Sequence, residues 1–267
     1  MKASKVIVIT GSSSGIGYSL AEYFGKKGHQ VYGLSRKIVE NNFFTSLSVD
    51  VTNNDAVQTA ISTIMEKEGR IDIVINNAGM GMVGPVENTT KEDIWKLFSL
   101  NLVGAVQMMS AVLSMMRAQK NGKIINISSI GSEMGLPFRG FYSASKAALD
   151  KVTEAIRYEV SPWNIQVCSL HLGDIQTSIA ESRVQTKVGT AYQSTYNKVF
   201  SLMNSHVDQG NLPIEVAIYV EKLFQKKHWK AHYYFGKFGQ KIGVPLKWIL
   251  PQNFYENLMR KYNHLEE

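Results

Sequence analysis

The 267 residues are enough for one large α/β domain or two small ones, and a composition 44% hydrophobic and 19% charged is that of a soluble globular chain. A single cysteine, Cys168, excludes an intramolecular disulfide, and its apolar setting Val167-Cys168-Ser169-Leu170 reads as a small core residue in a reducing compartment. The net charge of +7 is concentrated late, with nine basic residues against Glu256 alone between 222 and 261, a pattern of a solvated face or of attraction to anionic partners.

The first residues lead into Val6-Ile7-Val8-Ile9, too short an apolar run for a signal peptide. No window is expected to reach the ~18 apolar residues of a membrane span, and a cytoplasmic location is expected. Residues 5–10 predict a buried first strand, ending in Thr10-Gly11-Ser12-Ser13-Ser14-Gly15-Ile16-Gly17 before a helix over 18–27. A glycine loop between strand and helix presents backbone N–H groups and the positive helix end to a phosphate. The spacing is G-x-x-x-G-x-G, which departs from the general dinucleotide fingerprint.

Residues 30–35 predict a second strand, followed by Ser35-Arg36-Lys37 where a ribose-binding carboxylate would be expected for NAD. Arg36 can instead grip a 2′-phosphate with a fork of donors, which favours NADP(H) over NAD(H). A third strand over 47–51 brings Asp50 and Val51, a helix follows over 54–67, and a fourth strand over 72–76 closes in Asn76-Asn77-Ala78-Gly79. One long helix is predicted over 91–116 with Asn101 in its midst, then a fifth strand over 123–128, a helix over 142–160 and a sixth strand over 166–170. The alternation predicts a Rossmann-type doubly wound parallel sheet, helices on both faces, as a single domain over 1–267.

The helix over 142–160 opens with Tyr142 and Lys146, four apart and so on one face. An ammonium near a phenol favours the phenolate and makes the pair a usable proton donor and acceptor. On these two residues alone the ordinary reading holds, an amphipathic helix with a solvated lysine.

Beyond 177 the texture changes. Residues 178–210 are polar and weakly periodic, read as a cover over the sheet's carboxyl edge; 213–225 predict a helix and 233–235 a last strand. The basic extension 239–267 carries Trp248, Ile249, Leu250, Phe254 and Tyr255 among its lysines, packing on the domain by default, with peripheral membrane contact as the other reading. His228 and His232 read as surface residues, and no metal site is expected. Met80, Met82, Met134, Phe138 and Phe141 follow strand ends and together predict an apolar pocket, whereas Met108, Met109, Met115 and Met116 read as core or subunit interface.

Taken together, Thr10-Gly11-x-x-x-Gly15-x-Gly17, Asn76-Asn77-Ala78-Gly79, Asn101, Ser129 and Tyr142-x-x-x-Lys146 resemble the short-chain dehydrogenase/reductase family, and the finer texture at Gly135-Leu136-Pro137-Phe138 and Arg157-Tyr158-Glu159-Val160 is similar to its 17β-hydroxysteroid and retinol dehydrogenase-like branch. The resemblance implies that Gly11, Ser13, Ser14, Gly15, Ile16 and Gly17 face the pyrophosphate, with Ser35, Arg36, Asp50, Val51, Asn77, Ala78, Gly79, Ile175 and Thr177 also contacting the cofactor. It implies Tyr142 as general acid/base, Lys146 lowering its pKa and binding the nicotinamide ribose, Ser129 on the substrate oxygen and Asn101 holding a water beside Lys146. Leu172-Gly173 stands where the family has Pro-Gly, which removes a rigid φ from the turn. The function so implied is NADP(H)-dependent interconversion of a hydrophobic carbonyl and its alcohol, in a possible homo-oligomer. The alternative is an NADP(H)-binding regulatory or scaffold protein; nucleic-acid binding is not expected, since no recognised module is present.

Overall fold

The computed structural model describes residues 4–177 and 183–265; the part of the expected cover at 178–182 lies outside the described residues. The strands are β1 (Val6–Thr10), β2 (Gln30–Ser35), β3 (Thr45–Ser48), β4 (Ile73–Asn76), β5 (Met82–Val83), β6 (Gly122–Ser129), β7 (Ile165–Leu172), β8 (Val184–Gln185) and β9 (His232–Phe235). Seven of them form a parallel sheet in the order β3-β2-β1-β4-β6-β7-β9, and β5 pairs with β8 in a separate ribbon. The helices are α1 (Gly15–Lys26), α2 (Asn54–Glu68), α3 (Lys91–Phe98), α4 (Gly104–Gln119), α5 (Gly140–Val160), α6 (Gln193–Asp208), α7 (Pro213–Phe224), α8 (Phe238–Ile249) and α9 (Gln252–Tyr262).

The central strands are continuous apolar runs because helices cover both faces of the sheet. Successive side chains alternate between the two layers. In β1, Val6 and Val8 pack with Ile61, Met108 and Val112 on one side. Ile7 and Ile9 pack with Leu20, Phe24, Val216 and Val220 on the other. Cys168 is buried in the second layer, as expected of a core thiol, and burial pushes its pKa up. The chain leaves β1 towards β2 on one side and returns through β4 on the other, so the loops after β1 and β4 diverge and open a crevice at their carboxyl ends.

Three elements differ from expectation. The third strand lies at Thr45–Ser48 because its pairing with β2 ends at Ser35 opposite Ser48, leaving Asp50 and Val51 in the following turn. The long helix runs from α3 to α4 through a π-helical turn at Ser99–Val103, centred on Asn101. Over Lys91–Gln119 it is long and apolar enough to cross a membrane by length and composition, contrary to the expectation that no such window exists. Met108, Val112 and Met116 bury its apolar face against the sheet, as a core helix requires. Finally, the expected cover contains β8, whose backbone joins Gly81 and Val83 to Val184 and Thr186, and then α6.

Candidate active site

The glycine loop is built for close backbone approach. Gly11 and Gly15 have φ of +68° and +54°, the left-handed region that glycine enters without strain. A Cβ at Gly17, in the first turn of α1, would stand 2.2 Å from the Gly11 carbonyl oxygen. Asn77 ties this loop to the crevice: its Nδ2 donates to the carbonyls of Thr10 and Gly11 at 3.0 and 3.2 Å, while the backbone N–H groups of Asn77 and Ala78 donate to Thr10 Oγ1 at 3.0 and 2.9 Å. Ser12 Oγ is buried without a partner among the described residues, and Ser14 caps α1 without a side-chain hydrogen bond. The loop therefore fits a dinucleotide pyrophosphate, with Ser13, Ser14 and Ile16 around the open N-terminus of a 12-residue helix.

Two loops flank it. Ser35 Oγ donates to the Lys37 carbonyl at 2.6 Å, which turns the chain so that Arg36 is exposed just past β2. The Asp50 carboxylate accepts from Thr52 N and Oγ1 at 2.9 and 2.7 Å, and these bonds, together with the nearby Arg36 charge, hold its pKa below the usual carboxylate range. Val51 is buried under Gly104, where a Cβ would lie 2.8 Å from Val51 Cγ2. Opposite, Ile175 bridges to Asn211, and Thr177 comes within 3.2 Å of where a Gly15 Cβ would be.

Ser129 ends β6 and accepts from the Gly131 N–H at 3.0 Å, which fixes its hydroxyl. Tyr142 lies in the first turn of α5. Contrary to the expected lowering by Lys146, burial raises its phenol pKa, opposed first by hydrogen bonding with Ser129 and then by the charges of Arg139 and Arg183. Lys146 is buried one turn later and donates to the Ile127 carbonyl at 2.8 Å. Burial pushes its pKa down to about 8, opposed by Asp150 a further turn along α5. Asp150 accepts from Ser128 Oγ at 3.0 Å. Asn101 accepts from Met80 N at 2.8 Å and donates to Met80 O and Ser145 Oγ at 3.0 and 3.1 Å. Both side-chain amide protons of Asn101 are thereby used within the protein. The π turn swings this side chain across to the β4 loop.

Ser129, Tyr142 and Lys146 share one cavity of about 530 Å³ with Asn77, Gly79, Ile175 and Thr177. Met80, Met82 and Met134 line it as expected; Phe138 instead packs with Val83, Tyr196 and Phe200 beside it, and Phe141 is not part of its wall. The roof comes from the C-terminal helices, through Ile242, Leu246, Tyr255, Leu258 and Met259. Sequence reasoning missed Arg139, Arg183 and Asp174, which also line the cavity. Arg139 lies one helical turn before Tyr142, a readable spacing; nothing in the sequence marks Arg183.

His232 is not a plain surface residue. Its Nδ1 lies 2.9 Å from Nε2 of buried His171 and its Nε2 lies 3.0 Å from Glu154, while His171 Nδ1 reaches Ser132 Oγ at 3.1 Å and the Ser129 carbonyl at 3.2 Å. With Glu133 the two rings bring ligand atoms within 4.8 Å, but the facing nitrogens already bond to each other in a polar chain behind Ser129.

The comparisons settle the family. A short chain dehydrogenase family model matches residues 5–188. The chain belongs to the short-chain dehydrogenase family. A 3-ketodihydrosphingosine reductase of Bacteroides thetaiotaomicron is 37% identical over 260 residues, covering 96% of this chain and 97% of the relative. An NADPH-dependent 3-dehydrocapnine reductase of Ornithobacterium rhinotracheale is 31% identical over 245 residues, 85% and 86% of the two chains. Among solved structures, a short-chain dehydrogenase from Streptomyces avermitilis shares the fold with a TM-score of 0.84 at 24% identity, covering 99% of this chain and 97% of that one. A Burkholderia cenocepacia short chain dehydrogenase in complex with NADP matches with a TM-score of 0.72 at 25% identity, over 91% and 92%.

At Leu172-Gly173, where the resemblance implies Pro-Gly, the turn is held by hydrogen bonds. Gly173 N donates to Phe235 O at 2.8 Å, Asn211 N to Asp174 O at 3.0 Å, and Gln240 Nε2 to the Asp174 carboxylate.

Proposed function

We propose that this short-chain dehydrogenase uses NADP(H) to reduce the ketone of a long-chain hydrophobic substrate to the alcohol. The observation that carries the reading is the Ser129–Tyr142–Lys146 set in one cavity roofed by apolar side chains of the C-terminal helices. Reductases of 3-ketodihydrosphingosine and 3-dehydrocapnine among the relatives support a long-chain aliphatic ketone over a steroid or retinoid. The NADP-bound neighbour and the NADPH-dependent relative support the cofactor, with Arg36 as the residue that would take the 2′-phosphate.

When bound along the glycine loop, NADPH would supply the hydride. The protein's own groups handle the oxygen. Ser129 donates a hydrogen bond to the carbonyl oxygen, where negative charge develops, and Tyr142 transfers its phenolic proton to that oxygen. The buried Lys146 ammonium stabilises the resulting phenolate from the same helix face. Asn101 is a positioning residue, clamping the Met80 backbone to the helix that carries Tyr142.

The test follows nicotinamide absorbance with NADPH or NADH over long-chain ketones. NADPH-dependent turnover should fall by roughly 10²–10⁴-fold in Tyr142→Phe, and Arg36→Ala should erode the preference for NADPH. Faster turnover with NADH in the wild type would sink the assignment to Arg36. Tight NADPH binding with no turnover on any ketone favours the regulatory alternative.

A membrane surface is the proposed source of this substrate. Phe238, Trp248 and Ile249 are 75–76% exposed on α8, Phe254 is 60% exposed on α9, and Lys237, Lys241 and Lys247 lie among them. Packing on the domain accounts for the cavity-facing side of these helices and leaves that set uncovered. The protein should sediment with anionic vesicles at low salt and be released by high salt; failure to bind rules the idea out.

A further inference from the structure

Two arginines line the cavity of the proposed catalytic hydroxyls without an ion-pair partner among the described residues. Arg139 is the residue preceding α5, three before Tyr142, and Arg183 immediately precedes β8. Both line the cavity that holds Ser129 and Tyr142, and the charge of each acts on the Tyr142 phenol. The Arg183 stem is packed on Gly81, where a Cβ would stand 2.7 Å from its Cγ, and its Nη1 donates to Asn204 Oδ1 of α6 at 2.8 Å. The Arg139 guanidinium is less provided for: its Nε is buried without a partner, and no hydrogen bond from its side chain is found among the described residues. No ion pair joins either arginine to a carboxylate among the described residues. Asp174 is the largest negative influence on Arg139 and acts on Arg183 as well, and its carboxylate already accepts from Gln240.

A guanidinium stays protonated in a protein, so burial cannot relieve its charge by neutralising it. A half-buried cation without an ion-pair partner carries a desolvation cost, and two that repel one another carry more; the effect of Arg139 on Arg183 has this sign. Such an arrangement becomes favourable when a ligand brings the missing negative charge. Arginine is the residue type suited to this, since its planar fork matches the oxygens of a carboxylate, phosphonate or sulfonate in pairs. Elsewhere the cavity is lined largely by Met and aliphatic side chains, which suit a hydrocarbon chain.

From this juxtaposition we infer that the substrate is an amphiphile carrying an anionic group a few bonds from the ketone, held between Arg139 and Arg183 while its chain runs under α8 and α9. The inference deepens the ketone-reductase reading and rests on it for the reaction, though the anion site itself does not need turnover. The two guanidinium groups are specificity-determining: they would orient the head of the molecule so that only one carbonyl falls between Ser129 and Tyr142.

The experiment compares a long-chain 2-oxoalkyl phosphonate with its neutral dimethyl ester, using the full chain and NADPH. The wild type should favour the phosphonate in kcat/KM by about tenfold or more, and Arg183→Gln and Arg139→Gln should each collapse that preference, mainly through KM. In parallel, titration calorimetry measures an alkyl phosphonate lacking the ketone, bound in the presence of NADP, against the corresponding alcohol. Binding that weakens about tenfold in Arg183→Gln, with NADP affinity retained, supports the anion site even if no ketone is turned over. Equal use of ester and phosphonate, or no detectable phosphonate binding, overturns it. So does a loss in the variants that follows weakened NADP binding, which would assign the arginines to the cofactor. Should Arg139→Gln fail to fold, Arg183→Gln and Arg183→Lys carry the test; lysine restores the charge without the paired fork.

Discussion

The buried lysine of the site is governed by its desolvation, which the carboxylate one turn beyond it only partly offsets. Lys146 is held at about 8, down from an ordinary 10.5, because burial penalises the ammonium more than Asp150 favours it. Between those two values the unfolded chain binds more protons than the folded one, so stability should rise with pH across that window. Replacing Lys146 with Met should flatten the rise, seen as a loss of slope in denaturation midpoint against pH. On the proposed mechanism activity should run the other way, since the ammonium it places beside the phenolate is lost as pH climbs past about 8. Asp150→Asn removes the influence that raises this pKa, so the alkaline limb of kcat/KM should move to lower pH. An unmoved limb would mean another group sets it. Asp150 was not singled out from the sequence, because its spacing from Lys146 is ordinary for a helix until burial makes it matter.

At the scale of elements, the long helix shows what periodicity can and cannot reveal. Its apolar stripe identified a helix over most of Lys91–Gln119, yet a π turn inserts one extra residue's worth of winding at Ser99–Val103. The cause is tertiary: Asn101 must reach the backbone of Met80 and the hydroxyl of Ser145 at once. Asn101→Ala should leave a backbone N–H and carbonyl at Met80 short of partners and cost about 2 kcal/mol in urea unfolding. It should also depress turnover, because the loop after β4 and the helix of Tyr142 lose their common clamp. A variant as stable as the wild type would show the π turn to be held by packing alone. The β5–β8 ribbon makes the same point, since two-residue strands are too short for any alternation to register.

For the whole molecule, the parallel sheet supplies the chemistry at its carboxyl edge and the C-terminal helices supply the chamber above it. That division places the substrate's length under the control of α8 and α9. Leu246 lines the cavity from α8, and Leu246→Trp should shorten the space available to a hydrocarbon chain. KM for a long-chain ketone should rise about tenfold, the scale of losing a few buried methylenes, while a short ketone is little affected. Equal effects on both would place the chain elsewhere. Lys247 Nζ donates to the Glu133 carbonyl near the start of the α5 segment, so the roof is tied to the catalytic side of the cavity.

The sequence by itself determined the sheet and the glycine loop, and pointed to Asn101, Ser129, Tyr142 and Lys146, of which Ser129, Tyr142 and Lys146 share one cavity. The sheet and the loop rest on local signals, continuous apolar strands and glycines between strand and helix, whereas Asn101, Ser129, Tyr142 and Lys146 were singled out as a set by the family resemblance. Tertiary structure alone decided what surrounds Tyr142. Arg183 approaches from beyond 177 through a ribbon and the packing of its stem on Gly81, and His171 meets His232 across the paired strands β7 and β9. The physical reason is that charge, desolvation and cavity shape depend on distances between segments far apart in the chain, which no local pattern of residues encodes.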